Sequence, residues 1–258
     1  VSRVVILMYH MVTEPGTAAE RRYACPPTRF AAHLRRLLSR GHHFIGLHDL
    51  ERYLDGQRSM AEGAIAVTFD DGFADNYNHA FPILRELGIP ATVFLATGHL
   101  GESNTWMSGS AGYPSRKMLT WGQIEEMASD GVEFGAHTVS HPRLTDMRSE
   151  DARREITGAK EAIQQRLGRE ARYFAYPYGA VDERIRGMAA EAGYRLACST
   201  RSGFNRHDAD RFLLRRIEVY GTDAPWRLVQ KVTFGRNDSG LDVPVRYGWA
   251  RLRARLGK

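Results

Sequence analysis

The stretch Ile65-Ala66-Val67-Thr68-Phe69-Asp70-Asp71-Gly72 decides the reading of this chain. A short apolar, β-favouring run leads into two adjacent carboxylates, and glycine permits a sharp exit. Two carboxylates side by side at a strand end coexist ionised only with counter-charges or a metal. Without either, their pKa values are pushed apart and one proton is retained. Alternation along a strand sends neighbours in different directions, so one carboxylate can bind a metal while the other faces a substrate. Read alone, Asp70-Asp71-Gly72 is also an ordinary polar turn.

Outward from that strand, residues 4–9, 91–96, 132–136, 172–176, 196–199 and 212–219 read as further strands. Helical periodicity covers 28–40, with Thr28 as cap, and 47–55. It continues over 77–87, where Pro82 opens a new first turn. Thr120 and Gln123 form a capping box for a helix ending near Asp130. The strongest helix is 149–167, where Ala152, Ile156, Ala159, Ile163 and Leu167 share one face and Gly168 closes it. Helices at 182–192 and 224–232 complete the pattern. Strands alternating with helices, without repeat or linker, predict one α/β domain over residues 1–235 with a largely parallel sheet, closed as a (β/α) barrel.

The 258 residues suffice for such a core, and 43% hydrophobic with 26% charged content is ordinary for a globular chain. No apolar run is long enough for a membrane helix. The chain begins at Val1 without an initiator Met, which leaves a trimmed leader or anchor open. A cytoplasmic or membrane-peripheral place is favoured, or export if a leader was removed. Cys25 and Cys198 read as two thiols that never meet. Charge is uneven: residues 236–258 hold six basic and two acidic side chains, leaving only about +2 of the total +6 for the first 235 residues. This basic tail mixes Arg246, Arg251, Arg253 and Arg255 with Trp249 and Leu252, a pattern suited to an anionic membrane surface or to a simply solvated end. Nucleic acid is a poorer match.

His10, Asp70 with Asp71, His137 and Tyr178 each fall at or just past the carboxyl end of a predicted strand, the face where barrels carry their sites. His137 and His141 stand at i, i+4, which on a helical turn would place both imidazoles on one face. As a lone signal this is weak. Joined to one carboxylate, it makes a three-ligand set with an open position, the pattern of a catalytic zinc site. The polar, glycine-rich stretch 97–117, with Trp106 and Tyr113, is a candidate rim. Those aromatics and Trp121 suit either sugar stacking or ordinary packing. His42, His43, His48, His79, His99 and His207 have no comparable context.

Thr68-Phe69-Asp70-Asp71-Gly72, His137-Thr138-Val139-Ser140-His141 and Tyr176-Pro177-Tyr178-Gly179, in this order, resemble the first three motifs of the NodB-type polysaccharide deacetylases, carbohydrate esterase family 4. The resemblance covers most of the chain. It implies a distorted (β/α) barrel and metal-dependent N-deacetylation of N-acetylhexosamine units in a polysaccharide or lipid-linked glycan. By the same resemblance, Asp70 is the general base, and Asp71, His137 and His141 are the metal ligands. Tyr178 supplies a backbone N–H for the oxyanion. Zinc is the implied metal, although cobalt, nickel or iron suit the same ligands.

Two departures stand out. Ala175 occupies the position where family members often carry an arginine that steadies the base, and the usual C-terminal Leu-x-His is absent. Instead, Leu7-Met8-Tyr9-His10 resembles the subgroup that acts on poly-N-acetylglucosamine and related exopolysaccharides, whose motif order looks circularly permuted. His10 is then the implied general acid. Arg216 is the candidate replacement for the missing arginine, with Arg215 as the alternative. A related amidase for small amides, or an inactive glycan-binding protein on the same barrel, are the competing functions.

Overall fold

The structure is a computed structural model, and it describes residues 2–107 and 112–240. In chain order the elements are β1 (Val5–Tyr9), α1 (Pro27–Leu38), β2 (His43–Ile45), α2 (Leu47–Leu54), β3 (Ala64–Phe69), α3 (Phe81–Leu87), β4 (Ala91–Leu95), α4 (Trp121–Ser129), β5 (Glu133–Ala136), α5 (Ser149–Leu167), β6 (Tyr173–Ala175), α6 (Glu183–Glu191), β7 (Leu196–Cys198), β8 (Ile217–Glu218) and α7 (Pro225–Phe234). No described helix is long and apolar enough to cross a membrane. Most of the basic tail, from residue 241 on, lies outside the described residues.

All named strand pairs are parallel, in the order β7-β6-β5-β4-β3-β1-β8. Central β3 pairs with the whole length of β1. On its other edge it pairs with β2 at its start and β4 at its end. The sheet curls until its edges nearly meet on one segment. Leu214 bridges to Cys198 at the end of β7, and Ile217 pairs with Leu7 of β1 three residues later. The alternating pattern predicts a barrel, and this one has the distortion that the family resemblance implies.

Period-2 alternation sorts the core into two compartments. Ile65, Val67 and Phe69 of β3 pack outward with helix residues such as Phe30, Leu34 and Ile156. Ala64 and Ala66 point inward, into a cluster with Ile6, Phe94, Ala175 and Cys198 that Leu47, Leu50 and Tyr53 of α2 join. Small residues at 64, 66 and 175 suit a narrow barrel interior.

Several local expectations change. Pro26, not Thr28, is the N-cap of α1, and Pro27 takes the first turn, where a missing N–H costs nothing. One π-helical turn, Asn76–Ala80, precedes α3, and Pro82 stands in the first turn of α3. The predicted strand 212–219 is regular only at Ile217–Glu218, because its backbone switches partners from β7 to β1 midway. The Thr120–Gln123 capping box forms as read, and both cysteines are free and buried.

Candidate active site

The carboxyl ends of β1, β3, β5 and β6 open into a cavity of about 410 Å³. His10, Asp70, Asp71, His137, His141 and Tyr178 all line it, so the residues singled out from strand ends do converge. Tyr23, Phe73, Trp106, Met107 and Tyr113 form its aromatic and apolar wall. Trp121 does not line it: at the start of α4 it packs against the outer core.

Asp70 and Asp71 separate at the end of β3. Asp70 is still tied to the ladder, its N–H donating to the Tyr9 carbonyl at 3.0 Å. Asp71 then turns into the left-handed region, with φ 74°. Gly72 follows at φ 87°, where a Cβ would stand 2.9 Å from Leu95 Cδ2. The two carboxylates therefore diverge through this left-handed step just past the strand rather than through pleat alternation within it.

Asp70 meets Arg216 in a forked ion pair, with Nη1–Oδ1 at 2.6 Å and Nη2–Oδ2 at 2.7 Å, and neither side chain reaches solvent appreciably. The guanidinium also donates to the Ser199 carbonyl at 3.0 Å and to Thr68 Oγ1 at 3.3 Å. Burial alone would raise the Asp70 carboxyl. The Arg216 charge and the nearby histidines outweigh it and hold the group below its ordinary range. Arg215 points away, its backbone N–H on Asn205 and its guanidinium on the Ser202 carbonyl. Ala175 is fully buried, and Arg216 lies over the Phe94 ring at 5.7 Å within the same barrel interior.

Asp71 meets the imidazoles: its Oδ1 is 3.1 Å from His141 Nε2 and 3.5 Å from His137 Nε2. One ligand atom from each of the three residues lies within 4.8 Å of the other two. Ligands about 2.0–2.1 Å from a tetrahedral ion lie roughly 3.3–3.4 Å apart. The donor set thus fits a divalent metal. The far ring nitrogens are engaged as metal-binding histidines require: His137 Nδ1 with the Ala175 carbonyl at 2.7 Å, His141 Nδ1 with Tyr178 Oη at 3.2 Å. Burial lowers His137 to about 4 against the opposing pull of Asp70 and Asp71, so the ring is neutral, the ligating form. Burial opposes, but the two histidines and His10 together lower the Asp71 carboxyl strongly.

The i, i+4 histidines do not sit on a helical turn. Thr138 and His141 both have positive φ, 68° and 60°, and the segment is an irregular loop after β5. Among the described residues, the non-glycine positions with positive φ are Asp71, Thr138, His141 and Tyr178. Each costs about 1–2 kcal/mol, and all four lie at this one site. Strain gathered there marks it as the functional centre.

His10, just past β1, packs edge-on against Tyr23 with centroids 5.0 Å apart. Its Nδ1 is buried without a hydrogen-bond partner among the described residues. The sequence reading missed Trp106 as a neighbour of the ligands: its ring stacks on His141 at 4.7 Å and 23°, with His99 on it at 4.6 Å. It also passed over His33, a core residue between Tyr9 Oη at 3.2 Å and the Asp223 carbonyl at 2.8 Å.

Residues 57–197, more than half of the chain, match the polysaccharide deacetylase family. The chain belongs to that family. Among curated relatives of these deacetylases, the poly-β-1,6-N-acetyl-D-glucosamine N-deacetylase of Staphylococcus epidermidis is 24% identical over 214 residues, 79% of this chain and 71% of that protein. IcaB from Ammonifex degensii superposes with a TM-score of 0.78 at 28% identity, covering 92% of this chain and 98% of that one. The Streptococcus pyogenes deacetylase PplD, solved in complex with acetate, gives 0.77 at 28% identity, covering 89% and 98%. This deacetylase therefore has the barrel of its family and acts on a glycan, and its Asp71–His137–His141 cluster suits a divalent metal.

Proposed function

We propose that the protein is a divalent-metal-dependent hydrolase that removes N-acetyl groups from N-acetylhexosamine units of a polysaccharide or lipid-linked glycan. The observation that carries this is the split between adjacent carboxylates: Asp70 on Arg216, Asp71 on two imidazoles. They have opposite tasks although they are neighbours in the chain. Asp71, His137 and His141 would hold the metal. When bound, it polarises the acetamide carbonyl and lowers the pKa of water, as far as about 7 in zinc enzymes. Zinc fits these ligands best, with cobalt, nickel or iron as substitutes.

Asp70, kept ionised by Arg216, takes the proton from the attacking water. The backbone N–H of Tyr178, at the turn after β6, donates to the developing oxyanion; a donor of this kind is worth about 2.7–4 kcal/mol. His10 delivers a proton to the departing amine nitrogen as the general acid, a role to which a histidine side chain is suited. The wall of Tyr23, Trp106 and Tyr113 offers faces for sugar rings. The S. epidermidis relative makes β-1,6-linked N-acetylglucosamine oligomers the first substrate to test. The test couples metal analysis to acetate release from those oligomers. A protein that retains no metal and releases no acetate would refute the proposal in favour of a glycan-binding barrel.

A further inference from the structure

The loop that carries both histidines is held by a group outside the reaction. Glu155, in the second turn of α5, accepts from the Val139 N–H at 2.9 Å and the Ser140 N–H at 2.8 Å through one oxygen. Its other oxygen accepts from Ser140 Oγ at 2.6 Å. Several other backbone groups of the loop are also held. His137 N–H donates to the Leu95 carbonyl, and His141 N–H donates to Thr138 Oγ1. The Thr138 and Val139 carbonyls accept from Thr97 and Gly98. The last contact needs glycine, because a Cβ at Gly98 would lie 2.9 Å from the Val139 oxygen. Among the described residues no acceptor other than Glu155 serves the two consecutive amides. They sit between the two left-handed residues, Thr138 and His141. Glu155 is itself fixed: Ala152, Ile156 and Ala159, flanking it on α5, are fully buried in the outer core.

We propose that Glu155 is a positioning residue for the metal site: its carboxylate pins the Val139–Ser140 backbone so that His141 Nε2 stays beside Asp71 Oδ1. The physical reason is that a loop with two left-handed non-glycine residues relaxes toward ordinary backbone angles unless its amides are claimed. A carboxylate taking three hydrogen bonds is the strongest such claim on the loop. Relaxation would swing His141, at the loop's far end, and leave His137, at the end of β5, nearly in place.

The inference rests on the metal-site reading, so its test has one readout that needs metal and one that does not. Zinc affinity is measured by competition against a chromophoric chelator, and hydrogen exchange at the Val139 and Ser140 amides is followed in metal-free protein. Glu155→Ala is expected to lose exchange protection at both amides and to bind zinc about 10–100-fold more weakly, the usual effect of removing a group that orients a ligand. Glu155→Gln keeps an oxygen for the two amides and a nitrogen to donate to Ser140 Oγ, so it should recover most of both. Wild-type zinc affinity in Glu155→Ala overturns the proposal, as does equal loss in Glu155→Gln. If Glu155→Ala does not fold, Glu155→Asp draws the carboxylate back from the loop and is read by the same two criteria. A wild-type protein that binds no zinc overturns the metal reading itself, and with it the positioning role. Unprotected amides in a zinc-binding wild type overturn the role of Glu155 alone.

Discussion

Removing the Arg216 guanidinium by Arg216→Ala should cost stability and move the pH dependence of turnover. The pair is buried on both sides and joined by two bonds of 2.6 and 2.7 Å. Deleting one partner of such a pair typically costs about 3–5 kcal/mol, because the other charge is stranded. In the wild type the Asp70 carboxyl is depressed. Its contribution is therefore present above the unfolded value, about 3.9, and lost as pH falls through the folded one. Without Arg216 the burial effect prevails and raises Asp70. The fold of the variant is then least impaired in acid, and its loss of stability grows as pH rises from the unfolded value to the raised one and is complete above it. For turnover, each unit by which Asp70 exceeds the assay pH removes about tenfold of the ionised base. The ceiling is the loss of a general base, about 10²–10⁴-fold. Acetate release from pH 5 to 9, with denaturation curves at the ends of that range, reads both effects. Arg216→Lys keeps a charge but not the fork and should fall between. The double variant Asp70→Asn/Arg216→Met should regain the stability while staying inactive. A wild-type pH profile in Arg216→Ala would refute the reasoning.

Asp70→Asn should keep the metal and lose acetate release by about 10²–10⁴-fold, whereas His137→Ala should lose both; equal metal content with full activity in Asp70→Asn would remove Asp70 as the base. Burial raises Asp75 to about 6 despite bonds from Val12 and Asn76, so its ionisation costs stability as pH rises from about 4 to 6 and the whole cost is present above that range. Asp75→Asn should match the wild type near pH 4 and exceed it at pH 8 by up to about 3 kcal/mol; a difference independent of pH counts against this. Trp106→Ala removes a ring contact with His141 worth about 0.5–1.5 kcal/mol and should weaken zinc binding by up to about tenfold. Unchanged zinc affinity would reduce Trp106 to a wall residue.

What local chemistry specifies was legible in the chain: the apolar run of β3, the single-faced helix α5, and the Thr120–Gln123 box all depend on neighbours within a few residues. Convergence at strand ends followed from the parallel topology alone. Strand β2 was missed, because three residues containing one histidine carry no periodic signal. The His137–His141 segment was misread because spacing cannot distinguish a helical turn from a loop with two left-handed residues. Arg216 lies 146 positions from Asp70, and only the resemblance, through the arginine it expects where Ala175 stands, pointed to it. Its neighbour Arg215 has the same chemistry, and the backbone's change of partner decides which of the two faces inward. Glu155 left no trace, since a glutamate on a helix's polar side looks the same whether or not a loop lies against it.

The segment that closes the barrel also carries Arg216, between Leu214 on β7 and Ile217 on β1. The proposed metal ligands hang instead from the end of β3 and the loop after β5. The counter-charge of the base and the ligand cradle therefore rest on different parts of the architecture. A barrel that breathes at its seam would free the base from its counter-charge while the ligand cradle stayed whole. On the proposed reading, such a protein would keep its metal and lose turnover, so the last strand contact would matter for proton transfer rather than for ligation.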